Sequence, residues 1–360
     1  MSEQAILNDL NGFEKFISGL DTDRIMLVCG NSAKLFAADK YFSDIEKSTG
    51  KSFVRFSDFT PNPDYMSVEN GVRYFNENNC GAVIAVGGGS AIDTAKCIKL
   101  YAYADNDSCF LKQKIIPNDI PLIAVPTTAG SGSEATHFAV IYHNGEKQSV
   151  GDDSALPCAV LVYPDVLKTL PEYQRKATML DAFCHAAEAF WSVNANEESR
   201  KYSETAIQMI FEAKDGYLSN ESRGNSKMLH AANIAGKAIN IARTTAGHAM
   251  CYKLTTLFGL AHGHAAALCV DALFPLICER ADSKLSETLY RLADAMGCGT
   301  PADACGKFSE LVSSLELYIP KADEEIINIL TSSVNVERLK NTPVPISADD
   351  IKMLYRQILQ

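Results

Sequence analysis

No stretch of this sequence approaches the roughly 18 uninterrupted apolar residues that a bilayer span requires. Even the Ala-rich run after His264 meets Asp271 within seven positions, so no membrane segment is expected. The start, MSEQAILNDLNGFEKF, lacks the basic residues and apolar core of an export signal, which points to a cytoplasmic protein. Basic residues are in deficit, 33 Lys plus Arg against 44 Asp plus Glu for a net charge of −11, and nothing forms a block that could track a nucleic-acid backbone. None of the eleven cysteines falls in a C-x-x-C pair or a zinc-finger spacing. They are expected to be reduced and mostly in the core.

What is present is ordinary globular composition, 47% hydrophobic and 21% charged, over 360 residues. That length predicts two domains. Up to about residue 165, short apolar runs alternate with longer amphipathic ones, as strands and crossover helices do in a parallel sheet. Strands are predicted at Arg24–Cys29, Ser52–Phe56, Ala82–Val86 and Leu122–Pro126, followed by a hairpin turning at Asn144-Gly145 and a last strand before Val162. From residue 166 to 360 Leu, Ala, Glu and Lys recur at helical spacing. The final helix, Ala348 to Leu359, opens with a capping box of Ser347 and Asp350.

Gly87-Gly88-Gly89-Ser90 lies between the buried third strand and a helix from about Ala91 to Tyr101. A strand, a glycine turn and a helix can seat a phosphate, because the backbone is bare and the first helical N–H groups face outward. The same residues also fit a plain turn with Ser90 as N-cap and Asp93 closing a capping box. A second small-residue turn, Thr127 to Ser133, follows the next strand, at the carboxyl edge where open α/β sheets bind ligands.

Three of the seven histidines form a pattern with one aspartate. Asp181 and His185 are four apart in a helical stretch and share a face; the pair also fits an ordinary surface pair. His248 and His262 would stand about 21 Å apart along a straight helix. They can share one ion only if the chain folds back between them, and Gly259 supplies a break. Taken singly, His248 also fits a buried histidine bonded to backbone, and His262 a helix cap. A donor set dominated by imidazole suits Fe2+ or Zn2+ over Mg2+ or Ca2+.

Gly87-Gly88-Gly89-Ser90-Ala91-Ile92-Asp93, Pro126 to Glu134, Asp181-x-x-x-His185, and His248 with Ala261-His262-Gly263 together resemble, in order, the iron-containing (group III) alcohol dehydrogenases. The resemblance implies a Rossmann-like α/β dinucleotide-binding domain, then an all-α metal-binding domain of the dehydroquinate synthase-like type, with a cleft for hydride transfer. It implies Asp181, His185, His248 and His262 as metal ligands for Fe2+, with Zn2+ an alternative. It also implies contacts to NADH or NADPH from Asn62, Gly87, Gly88, Gly89, Ser90, Asp93, Thr127, Thr128, Ser131 and Lys147. A homodimer is common in the family.

Two departures stand out. Gly30-Asn31-Ser32 occupies the place where many members carry an acidic residue against the adenosine ribose, so NADPH is expected to be accepted. Tyr252 stands where many have a proton-relaying histidine; Tyr252 or His264 could serve, or both could simply pack. The stretch Thr244 to Thr255, with His262-Gly263-His264, resembles the phosphonoacetaldehyde reductases of the family, which form 2-hydroxyethylphosphonate. Lys237, Arg243 and Lys253 would then meet a dianionic substrate, though each also fits a solvated helix face. The alternatives are a neutral short-chain alcohol or diol as substrate, or a dehydroquinate synthase-like lyase, whose loop and glutamate ligand the sequence lacks.

Overall fold

Strand formation begins where the chain is most apolar. The computed structural model describes residues 4–30, 39–105 and 108–359, and in it every residue of Ala82–Gly87 is buried, as a strand covered on both faces should be. The first unit comprises Met1–Thr128 and Gly132–Leu170. Its elements are β1 (Ala5–Leu7), α1 (Leu10–Ser18), β2 (Arg24–Cys29), α2 (Asp39–Thr49), β3 (Ser52–Phe56), α3 (Tyr65–Glu77), β4 (Ala82–Gly87), α4 (Gly89–Tyr101), β5 (Leu122–Pro126), β6 (Phe138–His143), β7 (Glu146–Gly151) and β8 (Ala159–Leu161). Six strands pair in parallel in the order β1-β8-β5-β4-β2-β3, and β6 and β7 form a separate antiparallel hairpin.

The chain leaves β2 toward β3 and leaves β4 toward β5, in opposite directions across the sheet. The crevice at the carboxyl ends of β2 and β4 is therefore a topological switch point, where such sheets bind ligands. The predicted strands stand where expected. β1, which the sequence reading missed, pairs Ala5 with Ala159 at the edge.

The second unit comprises Ala129–Ser131 and Pro171–Gln360. Its described elements are helices: α5 (Glu172–Trp191), α6 (Glu197–Leu218), α7 (Ser222–Ala242), α8 (Ala246–Phe258), α9 (His262–Glu279), α10 (Ser283–Ala295), α11 (Pro301–Ser314), α12 (Glu324–Ser332), α13 (Val336–Leu339) and α14 (Ala348–Ile358). α5 is its axis: from Met179 to Trp191 every residue is buried, which explains why Ala recurs so often along it. The Ser347–Asp350 capping box on α14 forms as predicted. Among the described residues no helix is long and apolar enough to cross a membrane.

Candidate functional site

In the first unit, α4 starts on the glycine turn. Its N-cap is Gly88, and no side chain caps it. The alternative of a capping box made by Ser90 and Asp93 is therefore not adopted. Asp93 instead accepts hydrogen bonds from Ser133 Oγ (2.5 Å) and Val140 N (3.0 Å), tying α4 to the hairpin. Buried Lys96 reinforces that tie, donating to Ser133 Oγ, Thr136 Oγ1 and the Phe138 carbonyl; burial pulls its pKa down to about 8 against the pull of Asp93 and Glu134.

The two small-residue turns lie side by side. Thr127 N donates to the Gly87 carbonyl at 3.0 Å, and a Cβ on Gly88 would sit 3.2 Å from the Thr128 side chain. Asn62, in the left-handed region at φ 59°, donates its backbone N–H to Ser90 Oγ at 3.2 Å. Gly87, Gly88, Gly89, Ser90, Asn62, Thr127 and Thr128 are thus brought to one edge. Lys147 is half-buried on β7 opposite Tyr142, and Ser131 belongs to the second unit. Asn31 and Ser32, on which the NADPH expectation rests, lie outside the described residues.

In the second unit Asp181 and His185 project from α5 one turn apart, with His185 Nε2 3.9 Å from Asp181 Oδ1. α8 ends at Gly259, whose φ of 67° only glycine adopts without strain, and α9 starts at His262. The chain doubles back as predicted, and the rings of His248 and His262 stand 5.4 Å apart. Gly263 permits the approach: a Cβ there would meet the Ala177 carbonyl at 2.2 Å and Asp181 Cβ at 2.4 Å. Ligand atoms of Asp181, His248 and His262 all lie within 4.8 Å of one another. The His185 ring stacks on His248 at 4.6 Å.

This cluster fits a metal ion by its own chemistry. Asp181 Oδ1 and His248 Nε2 are buried without a hydrogen-bond partner and face each other at 3.6 Å, an arrangement that is costly unless a cation joins them. The Nδ1 atoms are engaged elsewhere. That of His248 meets the Glu188 carboxylate, that of His185 the Gly130 carbonyl at 3.3 Å, and that of His262 the Cys251 thiol at 3.7 Å. Holding Nδ1 fixes the tautomer and turns the Nε2 lone pair toward a metal. Burial would raise the Asp181 carboxyl pKa, but the charges of His185, His248 and His262 hold it well below the usual range. For His248 burial works downward, and Glu188 and Asp181 overcome it, lifting it to about 9. Both shifts mean that positive charge is favoured here.

Glu188 is the residue sequence reasoning missed. Fully buried, it also accepts from Thr245 Oγ1 (2.5 Å) and Thr245 N (3.0 Å). Tyr252 stacks parallel on His262, 5.7 Å between centroids, and its hydroxyl accepts from Arg338 Nη1 at 2.5 Å. His264 is buried, with Nδ1 3.1 Å from Tyr173 Oη, and burial lowers it to about 4. Arg243 ends α7 at φ 63°. Lys237 is half-buried on α7, and Lys253 is exposed on α8.

Residues 7–164 match the family described as iron-containing alcohol dehydrogenase, and residues 176–359 match its C-terminal family. The chain is 31% identical over 334 residues to aldehyde-alcohol dehydrogenase 2 of Entamoeba histolytica, covering 84% of this chain but 38% of that protein; it thus spans well under half the length of that relative. It is also 31% identical to the phosphonoacetaldehyde reductase of Streptomyces viridochromogenes, covering 65% of each. The solved structure of an archaeal halo-thermophilic alcohol dehydrogenase from a Red Sea brine pool superimposes with a TM-score of 0.88 at 26% identity, covering 100% of this chain and 98% of that one. With its glycine turn, its Asp-x-x-x-His helix and its two further histidines in their order, the chain belongs to the iron-containing alcohol dehydrogenase family.

Proposed function

We propose that this protein is a metal-dependent, NAD(P)H-linked alcohol dehydrogenase acting as an aldehyde reductase. The observation that carries the reading is the cluster of buried Asp181 and His248 with half-buried His262, in which the unpartnered Asp181 Oδ1 and His248 Nε2 face each other. In this reading Asp181, His185, His248 and His262 hold Fe2+ or Zn2+, and the turns at Gly88–Ser90 and Thr127–Thr128 carry the cofactor pyrophosphate. When bound, the ion supplies a Lewis acid for a carbonyl oxygen and the nicotinamide supplies a hydride.

The chain's own groups do the positioning. Glu188, Gly130 and Cys251 orient the three imidazoles before any ligand arrives. Asp181 adds the one formal negative charge of the donor set. Two groups are placed to hold the proton that an alkoxide needs: Tyr252 Oη, which accepts from Arg338, and His264, whose Nε2 is buried without a partner while Nδ1 meets Tyr173. Tyr252→Phe lowering kcat more than His264→Gln would assign the role to Tyr252.

For the substrate we propose phosphonoacetaldehyde, supported by the resemblance in Thr244 to Thr255 and by the 31% identity to a phosphonoacetaldehyde reductase. The test is anaerobic NADH or NADPH oxidation by metal-reconstituted protein with phosphonoacetaldehyde and neutral aldehydes of matched length. Phosphonoacetaldehyde should give the higher kcat/KM; a neutral aldehyde preferred over it would favour a short-chain alcohol or diol dehydrogenase instead. NADPH is expected to work at least comparably to NADH, and an advantage of orders of magnitude for NADH would refute that part.

A further inference from the structure

The segment carrying α13 is stitched to the junction of α7 and α8. Asn341 Nδ2 donates to the Thr244 carbonyl at 3.1 Å, Ala246 N donates to Thr342 Oγ1 at 3.1 Å, and Val193 N donates to the Asn341 carbonyl at 3.0 Å. This pins Arg338 over Tyr252: the guanidinium carbon lies 5.0 Å from the ring centroid, while one N–H goes to the Tyr252 hydroxyl. The same ring also stacks on His262. A guanidinium is therefore held one aromatic ring away from the metal-ligand cluster.

Two features separate this from an ordinary surface arginine. Among the described residues Arg338 has no carboxylate within ion-pair distance, although other arginines of the same unit pair closely with acids, Arg280 with Asp350 and Arg356 with Glu324. Instead a second guanidinium stands near it: burial and the charge of Arg338 both push the Arg243 pKa down. Arg243 is also held at φ 63° and ψ 167°, a backbone region that costs a non-glycine residue energy and collects at functional sites. A guanidinium held by its aromatic partner still offers further N–H donors in a planar fork that matches a carboxylate, sulfonate or phosphonate.

We propose that Arg338 forms an anion-binding subsite that recognises the charged end of a short aldehyde or alcohol whose reacting carbon sits at the Asp181–His262 cluster. The proposal rests on the reading of the cluster given above and adds to it a specificity residue that the sequence alone did not suggest. The recognised chemistry is an oxyanion group on a short chain; which oxyanion is preferred is decided by comparing probes.

The experiment is calorimetric titration of the metal-loaded protein with ethylphosphonate, ethanesulfonate and propionate, with 1-propanol as the neutral control. At least one anion should bind more tightly than the alcohol. Losing charge-assisted hydrogen bonds of this kind weakens binding by about 10- to 100-fold. Arg338→Met should show that loss, and Arg338→Lys should recover part of it. A parallel assay follows kcat/KM for an anionic aldehyde over a neutral aldehyde of the same length, and Arg338→Met should lower that ratio at least tenfold, mainly through KM. No anion binding to the wild type, or equal binding to wild type and both variants, overturns the proposal, as does a fall in both aldehydes that leaves the ratio unchanged. If no aldehyde is reduced at all, the dehydrogenase reading fails, and the calorimetry still decides the subsite.

Discussion

Replacing Glu188 by Gln removes one charge and leaves the shape of a fully buried side chain. The carboxylate oxygen Oε1 receives the Thr245 N–H and hydroxyl and the His248 N–H, and the new carbonyl can keep all three bonds. The other oxygen faces His248 Nδ1, and there an amide NH2 can only donate. His248 must then take the tautomer with Nδ1 as acceptor and its proton on Nε2, the atom that faces Asp181 at 3.6 Å. An imidazole protonated on that nitrogen is no longer a ligand. Loss of such an orienting partner costs about 10- to 100-fold in metal affinity, which is about 1.4–2.7 kcal/mol. The fold should survive, since the volume and the three bonds to Oε1 remain. Glu188→Ala should behave differently, leaving buried donors unpaired and costing about 3 kcal/mol or more of stability. Competition with a chromophoric chelator gives the affinity for Co2+ or Zn2+, and thermal melting of the metal-free protein gives the stability. A Gln variant that binds metal like the wild type would refute the tautomer argument. So would a Gln variant that melts as low as the Ala variant.

Three further expectations concern other parts of the chain. Gly263→Ala forces a Cβ against the Ala177 carbonyl and Asp181 Cβ; it should cost about 1–3 kcal/mol and weaken metal binding at the same time, and a melting temperature and chelator competition both at wild-type values would contradict the close approach. Asp350 receives both terminal nitrogens of Arg280, which hold its carboxyl well below the usual range. Its contribution, about 1 kcal/mol for such a pair, is present above the unfolded pKa of about 3.9 and is lost as pH falls through the lower folded value, so the destabilisation caused by Asp350→Asn at pH 7 should shrink on acidification in pH-dependent melts. The thiols of Cys278 and Cys305 lie 3.7 Å apart; diamide should oxidise them to a disulfide with loss of two hydrogens, seen as one cross-linked peptide by mass spectrometry and absent in Cys305→Ser.

The parts of this molecule that were legible in the sequence are those whose cause is local. β4 and β5 announce themselves because a strand buried on both faces is apolar throughout, and β2 is apolar from Ile25 onward. Asp181 and His185 share a helix face by spacing alone, and Gly259 marks the reversal that joins His248 to His262. β1 escaped because three half-buried residues carry no periodicity, and what makes them a strand is their partner Ala159–Leu161. Asp93 looked like half of a capping box because the sequence cannot show that Ser133 and Val140 fold over it. Glu188 reads as the polar residue of an amphipathic turn until Thr245 and His248, 57 and 60 positions later, close on it. Arg338 meets Tyr252 across 86 positions, and no local pattern could have joined them.

The edge strand β1 carries one more implication, for how the polypeptide is born. Residues 5–7 leave the ribosome before every other strand of the sheet, yet their parallel neighbour at 159–161 comes last among its strands. Until it emerges, the growing nascent chain keeps a sticky unpaired segment waiting, a slow closure of the kind that exposes strands to aggregation. Deleting residues 5–7, or occluding them with a fused partner, would leave β8 as a naked border, and the penalty would be read in inclusion bodies rather than in turnover.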